Sequence, residues 1–203
     1  MVLCGGCGGA TGDQSLAAEA VLRSADLPRA GAGVSWDWDS GPPDKTAVPD
    51  RCVDFDFPRL VLSAEAASDG FESQAGSVAS FSGVYEGSAR KAFERLADRV
   101  AQCMREARAL GTAFEAPAEV KVREIPFPRM GERSRAFEIK TGSIEDSVLI
   151  EDFVLVHQDR TLALLYFSPE FSCGGLFCGR DDKSTRFFHG LLVEMAEAVA
   201  SRM

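Results

Sequence analysis

The most informative segment of the chain runs from Val148 to Phe167 and reads VLIEDFVLVHQDRTLALLYF. Val148–Val156 and Leu162–Phe167 are the most apolar stretches of the protein, and the polar residues His157–Arg160 lie between them. Two apolar runs of strand length on either side of a short polar turn are typical of a β-hairpin. We therefore expect a hairpin over these residues.

Further strands are expected on both sides of this hairpin, because apolar residues recur at alternate positions. The alternation is clear in the C-terminal half and weaker nearer the N-terminus. The expected strands are Leu60–Ala67, Val78–Tyr85, Glu119–Ile125 and Ala136–Lys140, with a short one around Val34, Trp36 and Trp38.

Three segments have the spacing of amphipathic helices. The first is Gln14–Ala25, the second opens at the N-cap Ser88 and ends before Gly111, and the last follows Asp181 and Asp182. Runs of strands and helices without βαβ alternation favour the α+β class. We predict a single α+β domain, with a mainly antiparallel sheet of about five to seven strands packed by two or three helices.

Composition excludes several kinds of partner. The 203 residues include 22 Lys+Arg and 31 Asp+Glu, so the formal net charge is −9. This acidity argues against nucleic acid and anionic membrane surfaces as main partners, because both require a basic contact surface. No apolar run approaches the ~20 residues of a membrane span, so contact with a membrane is expected through a lipid anchor only.

The first residues, MVLCGGCGGA, are apolar, then small, with two cysteines among glycines. They resemble the end of a bacterial lipoprotein signal, with Cys7 as the lipidated residue. We expect residues 1–13 to be a flexible tether and a remnant of that signal, residues 14–203 to be the domain, and the protein to lie at the cell surface, outside the cytoplasm. Two alternatives remain: a disordered glycine-rich tail, or a zinc site that combines Cys4 and Cys7 with Cys173 and Cys178.

Four cysteines lie within the predicted domain. Cys173 and Cys178 flank a short glycine-containing loop that can bring them within disulfide range, which leaves Cys52 to pair with Cys103. Disulfides persist outside the cytoplasm, so this pairing agrees with the expected location. The alternative is four buried free thiols in a cytoplasmic protein, since unpaired cysteine is a common core residue.

The order of these features resembles a known family. The cysteine-containing terminus leads to Ser24–Pro28 at the end of a short helix, Val78–Phe81 runs into Gly87–Phe93, and the helix closes on Cys103 before four strands and a last helix. This order resembles the secreted sensor-type lipoproteins of high-GC Gram-positive bacteria, and is similar to the extracellular sensor domain of their receptor serine/threonine kinases. The resemblance covers most of the chain through short motifs. It implies a disulfide-stapled α+β domain with a cleft, an unknown ligand and no enzymatic activity.

Residues with catalytic or binding chemistry are few. No nucleophile elbow, P-loop or zinc-protease motif occurs, and we predict no catalytic residue, metal or cofactor. His157 is expected at the surface of a turn and His189 partly buried in the last helix. Trp36 and Trp38 alternate with aspartates and are the candidate ligand contacts, although both could instead face the core. Glu145, Asp146, Glu151 and Asp152 form an acidic segment that could bind calcium but lacks the spacing of a calcium loop. A solvated acidic edge is therefore expected.

We therefore expect a non-catalytic ligand-binding or sensing lipoprotein outside the cytoplasm, whose ligand is a small molecule or an envelope component. Two other functions remain open from the sequence: a hydrolase that acts on the cell envelope, and a structural protein that binds a protein partner in an envelope complex.

Overall fold

The structure is a computed structural model that describes residues 9–31, 34–35, 37–41, 62–73, 76–110, 119–142, 148–169 and 182–203. The helices are α1 (Gly9–Glu19), α2 (Arg90–Leu110) and α3 (Asp182–Ala200), with a single 3-10 turn at Ser24–Asp26. The strands are β1 (Ala30–Gly31), β2 (Val34–Ser35), β3 (Asp39–Gly41), β4 (Leu62–Ala67), β5 (Gly70–Ser73), β6 (Gly76–Tyr85), β7 (Glu119–Ile125), β8 (Arg133–Gly142), β9 (Val148–Gln158) and β10 (Thr161–Pro169).

One antiparallel sheet of eight strands organises the domain, which confirms the predicted α+β class with slightly more strands than expected. Its order is β3-β5-β6-β10-β9-β8-β7. β4 also pairs with β6, on the same edge as β5 and farther along that strand. β4 and β5 together run along β6 as one strand interrupted at Ser68 and Asp69. At the interruption, the Ser68 amide donates to the Ser80 carbonyl and the Ser68 hydroxyl accepts from the Ser80 amide, both at 2.9 Å.

The predicted hairpin is confirmed and occupies the middle of the sheet. β9 and β10 pair from Thr161 opposite Gln158 to Phe167 opposite Asp152. Their turn contains Asp159 with φ of 48°, and the Asp159 carbonyl accepts a hydrogen bond from the Ala89 amide just before α2. The hairpin is therefore fixed to the start of the long helix as well as to its neighbouring strands.

Helices cover both faces of the sheet. α2 lies over β7 and β9 and packs apolar residues such as Phe93 and Leu96 against Phe153 and Leu155. α3 packs on the opposite face over β9 and β10, and α1 lies on that same face over β4 and β6. Because each strand alternates its side chains between the two faces, the core is divided into an α2 side and an α3 side.

The first helix differs from its prediction, since it begins at Gly9 and ends at Glu19 rather than running from Gln14 to Ala25. The backbone that follows is held by other groups. The Leu22 amide donates to the Ser80 hydroxyl at 2.6 Å, and the carbonyls of Glu19 and Val21 both accept hydrogen bonds from Arg202 at 2.9 Å. These bonds replace the helical ones after Glu19.

The second helix agrees with its predicted start, because the Ser88 hydroxyl accepts from the Arg90 amide at 3.2 Å. In the part of the chain that the structure describes, no helix combines the length and the apolar character needed to cross a membrane.

Candidate functional site

A cleft of about 360 Å³ opens at the end of the sheet where β3, β5 and β6 meet. Small-molecule sites occupy roughly 300–1,000 Å³, so the cleft is large enough for a small ligand. The described residues that line it are Asp39, Ser40, Gly41, Gly70, Phe71, Glu72, Ser77, Val78, Ala79 and Tyr166. By strand alternation, the side chains of Asp39, Glu72, Ser77, Ala79 and Tyr166 face the α2 side, whereas Phe71 and Val78 belong to the core on the α3 side. Most of the lining therefore lies on the α2 face, at the end away from β7.

Strand register aligns three polar residues of the cleft with a serine of β10 in one row. Asp39 pairs with Glu72, Glu72 with Ser77, and Ser77 with Ser168 on β10. Directly opposed residues of antiparallel strands have Cβ atoms about 5 Å apart on one face. Two exposed carboxylates and two hydroxyls therefore follow one another across the sheet, and extending the β9–β10 register by one residue puts Glu151 next in the row.

Tyr166 connects the cleft to this buried carboxylate. Tyr166 is one of the lining residues, and its hydroxyl donates to Glu151 Oε1 at 2.8 Å. Glu151 is fully buried, and its other oxygen, Oε2, has no hydrogen-bond partner among the described residues. Burial raises the pKa of Glu151 to about 7, and the hydrogen bond from Tyr166 acts in the opposite direction. Glu151 therefore changes its charge near neutral pH.

The expectation of a solvated acidic edge is wrong for Glu151 and Asp152, because both are fully buried. They are adjacent in β9 and therefore face opposite sides of the sheet. Glu151 lies on the α2 side, and Asp152 lies on the α3 side opposite Glu138 of β8. Glu145 and Asp146 lie outside the described residues.

The tryptophans predicted as ligand contacts are not among the described residues of the cleft. Trp36 lies outside the described residues. Trp38 is half-buried, packs against the core on the α3 side, and donates its indole N–H to the Pro28 carbonyl at 2.7 Å. Its role as a ligand contact stays a prediction.

The two histidines lie away from the cleft. His157 is buried rather than exposed at a turn: its Nε2 is 3.1 Å from the Asp159 carbonyl, and its ring lies near Phe93. His157 Nε2 therefore contacts the main chain of Asp159 and not its carboxylate. His157 Nδ1 lies 3.7 Å from a carboxylate oxygen of Glu132. His189 is partly buried in α3 with its ring against Phe127.

The cysteine predictions fall outside what the structure describes. Cys7, Cys52, Cys173 and Cys178 belong to segments that are not described, and Cys103 lies in α2 with a side chain that is not described. Lipidation at Cys7 and both disulfides therefore stay predictions. Among the described residues, no group of three or more His, Cys, Asp or Glu side chains is arranged to hold a metal ion.

The residues that form the cleft were missed at the sequence level. Asp39 and Glu72 belong to short polar strands that alternation does not reveal, and Tyr166 looks like an ordinary core residue of an apolar strand. Glu151 carried a signal, since two consecutive carboxylates interrupt an otherwise apolar strand and alternation puts one of them on each face.

Comparisons with known proteins give no match: no protein-family model, no curated protein and no solved structure is similar to this chain.

Proposed function

We propose that the protein is a non-catalytic domain outside the cytoplasm that binds or senses a small ligand, and that the cleft between β3, β5 and β6 is its binding site. The observation that carries this proposal is the cleft itself. It combines a concave shape with a lining of small residues, two aromatic residues (Phe71 and Tyr166), carboxylates and hydroxyls. Concave sites with a few convergent polar groups are the usual form of small-molecule sites.

The composition of the lining favours binding over catalysis. Neither His157 nor His189 is among the described residues of the cleft, so no imidazole stands beside its hydroxyl groups, such as that of Ser77. The carboxylate opposite Ser77 is that of Glu72, which is exposed to solvent and lacks the burial that tunes a carboxylate into a general base. The location outside the cytoplasm rests on the sequence pattern at Cys7 and on the cysteine pairing.

A substitution at Gly41 tests the assignment. Gly41 lies in β3 two residues after Asp39, and therefore faces the same side, and a Cβ at this position would meet no atom within 4 Å. Gly41→Phe should fill the cleft without a clash in the fold. Gly87→Phe is the matched control, because Gly87 also has open space around its Cβ position and lies outside the described lining.

The measurement is native mass spectrometry of each protein purified from its own cell envelope. We expect a non-covalently bound small molecule on the natural protein and on Gly87→Phe, and none on Gly41→Phe. The proposal is wrong if the natural protein carries no bound species, or if Gly41→Phe carries the same species at the same occupancy.

A further inference from the structure

We propose that the cleft takes a small organic cation, and that Glu151, which is linked to the cleft through Tyr166, releases a proton when the cation binds. This inference rests on the proposed function and adds to it the chemical class of the ligand and the dependence of binding on pH.

The charge of the cleft favours a cation. Asp39 and Glu72 are register partners with exposed side chains on the rim, and no lysine or arginine is among the described lining residues. Exposed carboxylates alone bind weakly because water and salt screen them. A selective site therefore needs a further, less hydrated charge.

Glu151 provides this buried group. It is the next residue of the row after Ser77 and Ser168, it is fully buried, and Oε2 has no hydrogen-bond partner among the described residues. Tyr166 donates to Oε1 and is also one of the lining residues of the cleft. One residue thus connects the cleft with the Glu151 carboxylate.

The described neighbours of Glu151 offer it no positive charge. On β8 its register partner is Ile139, and on β10 its neighbours are Tyr166 and Ser168. The described residues of α2 that pack on this face are apolar, among them Leu96 and Val100. Other cations of this face are paired elsewhere: Arg135 with Glu124, and Arg133 with Glu94 of α2. The charged residues of the described lining are both carboxylates, Asp39 and Glu72, which disfavour a further negative charge. A bound cation would supply the compensating charge that these groups lack.

Proton release follows by linkage. Burial raises the pKa of Glu151 to about 7, so the free protein carries a mixture of protonated and ionised Glu151 at neutral pH. A cation interacts more favourably with the ionised form, so binding lowers the pKa of Glu151 and the displaced proton passes to solvent. The relation is reciprocal: if binding lowers this pKa by about one unit, the affinity rises about tenfold between low and high pH.

The test uses isothermal titration calorimetry with putrescine, a diamine that stays doubly charged between about pH 6 and pH 8. Its uncharged analogue 1,4-butanediol is the control ligand. We expect putrescine to bind severalfold more tightly at pH 8 than at pH 6. Titrations at pH 7 in two buffers of different ionisation enthalpy should show release of a fraction of one proton, and butanediol should bind much more weakly.

Three variants locate the effect. Glu151→Gln keeps the size of the side chain and removes its ionisation, so we expect no proton release and a flat pH dependence. Tyr166→Phe keeps the aromatic ring and removes the hydrogen bond that lowers the pKa of Glu151, so the pH range over which binding strengthens should move upward while putrescine still binds. Glu194→Gln is the matched control, because Glu194 is exposed on α3 at the opposite face, and it should leave both properties unchanged.

Several outcomes overturn the inference. If the ligand is a cation, butanediol must bind more weakly than putrescine, so equal affinities contradict the ligand class. Equal proton release by the natural protein and Glu151→Gln contradicts the role of Glu151. A complete lack of putrescine binding also overturns it; the binding function itself then still stands if a native ligand is lost from Gly41→Phe, and fails with it if no such ligand exists.

Discussion

Two buried glutamates of the central strands have opposite surroundings. Glu138 accepts two hydrogen bonds from Arg123, at 2.8 and 3.2 Å, and lies 3.6 Å from Lys140 Nζ. Glu151, one strand away on the other face, accepts from the hydroxyl of Tyr166 and has no salt bridge among the described residues. A buried carboxylate without a positive partner is stabilised in its protonated form. Glu151 is therefore the residue through which pH should act on this fold.

The free energy of unfolding should fall as pH rises from about 4.5 to about 7. Below about pH 4.5, Glu151 is protonated in both the folded and unfolded states. As pH rises, the unfolded state ionises first, and the folded state resists until its pKa of about 7. Above that pH, the free energy of unfolding is lower by about 3 kcal/mol than it is below pH 4.5, because the folded state holds a buried charge.

Urea unfolding at pH 5 and pH 8 measures this effect. Glu151→Gln should remove most of the loss between the two pH values and should be more stable than the natural protein at pH 8. Identical pH dependence of the two proteins would show that Glu151 is not the responsible group.

Arg202 joins the C-terminus to the first helix. Its guanidinium contacts both carboxylate oxygens of Asp26, at 2.8 and 2.6 Å, and also donates to the carbonyls of Glu19 and Val21. Arg202→Met should lower the free energy of unfolding by about 2 kcal/mol, because a largely buried carboxylate and two carbonyls lose a partner. Arg202→Lys should recover part of this stability, since lysine restores the positive charge but not the planar guanidinium with its several N–H donors. A loss within experimental error in chemical denaturation would contradict this role.

At the scale of elements, long apolar strands were predictable and short polar ones were not. β9, β10, β6 and β7 were expected within a few residues of their observed bounds, because apolar residues either alternate along these strands or are dense in them. β3 and β5 are three and four residues long and carry polar side chains, so their pairing depends on the neighbouring strand β6. The cleft is built from these two strands, which is why it was not foreseen.

The connection before β8 is packed against the end of β9 and should tolerate no side chain at Gly131. Its φ is +56°, and a Cβ there would lie 2.6 Å from the His157 carbonyl oxygen. Gly131→Ala should therefore cost about 2 kcal/mol of stability through backbone strain and a clash with the backbone of β9.

Gly190→Ala is the matched control for this substitution. Gly190 lies within α3, and its Cβ position has no atom within 4 Å, so alanine should stabilise the helix by about 0.5–1 kcal/mol. Thermal denaturation compares the two variants. Equal effects of the same sign would contradict the packing argument at Gly131.

At the scale of the whole molecule, the α+β class and the single domain followed from the order of elements, whereas the location of the cleft did not. A binding site on a sheet depends on which part of a face the helices leave open. Here α2 covers β7 and β9, and α1 and α3 take the other face, so the β3–β5 end of the α2 side accommodates the cleft. This arrangement is a result of tertiary packing that no local pattern contains.

The cysteine pairing predicted from the sequence is also a property of the whole molecule. A disulfide between Cys52 and Cys103 would close a loop of about 50 residues and stabilise the fold by about 4 kcal/mol in the chain-entropy model. Mass spectrometry of the unreduced secreted protein should find this pair together with Cys173–Cys178. Free thiols at Cys52 and Cys103 would contradict both the pairing and much of the argument for a location outside the cytoplasm.

The central claim is that a small cation binds in the cleft at the β3–β5–β6 end of the sheet, and backbone amide chemical-shift mapping by NMR tests it most directly. Titration with putrescine should change the shifts of Gly41, Gly70 and Ala79 most strongly, and Gly41→Phe should abolish these changes. Unchanged shifts at these three residues, or the largest changes on α3 at the opposite face, would contradict the account.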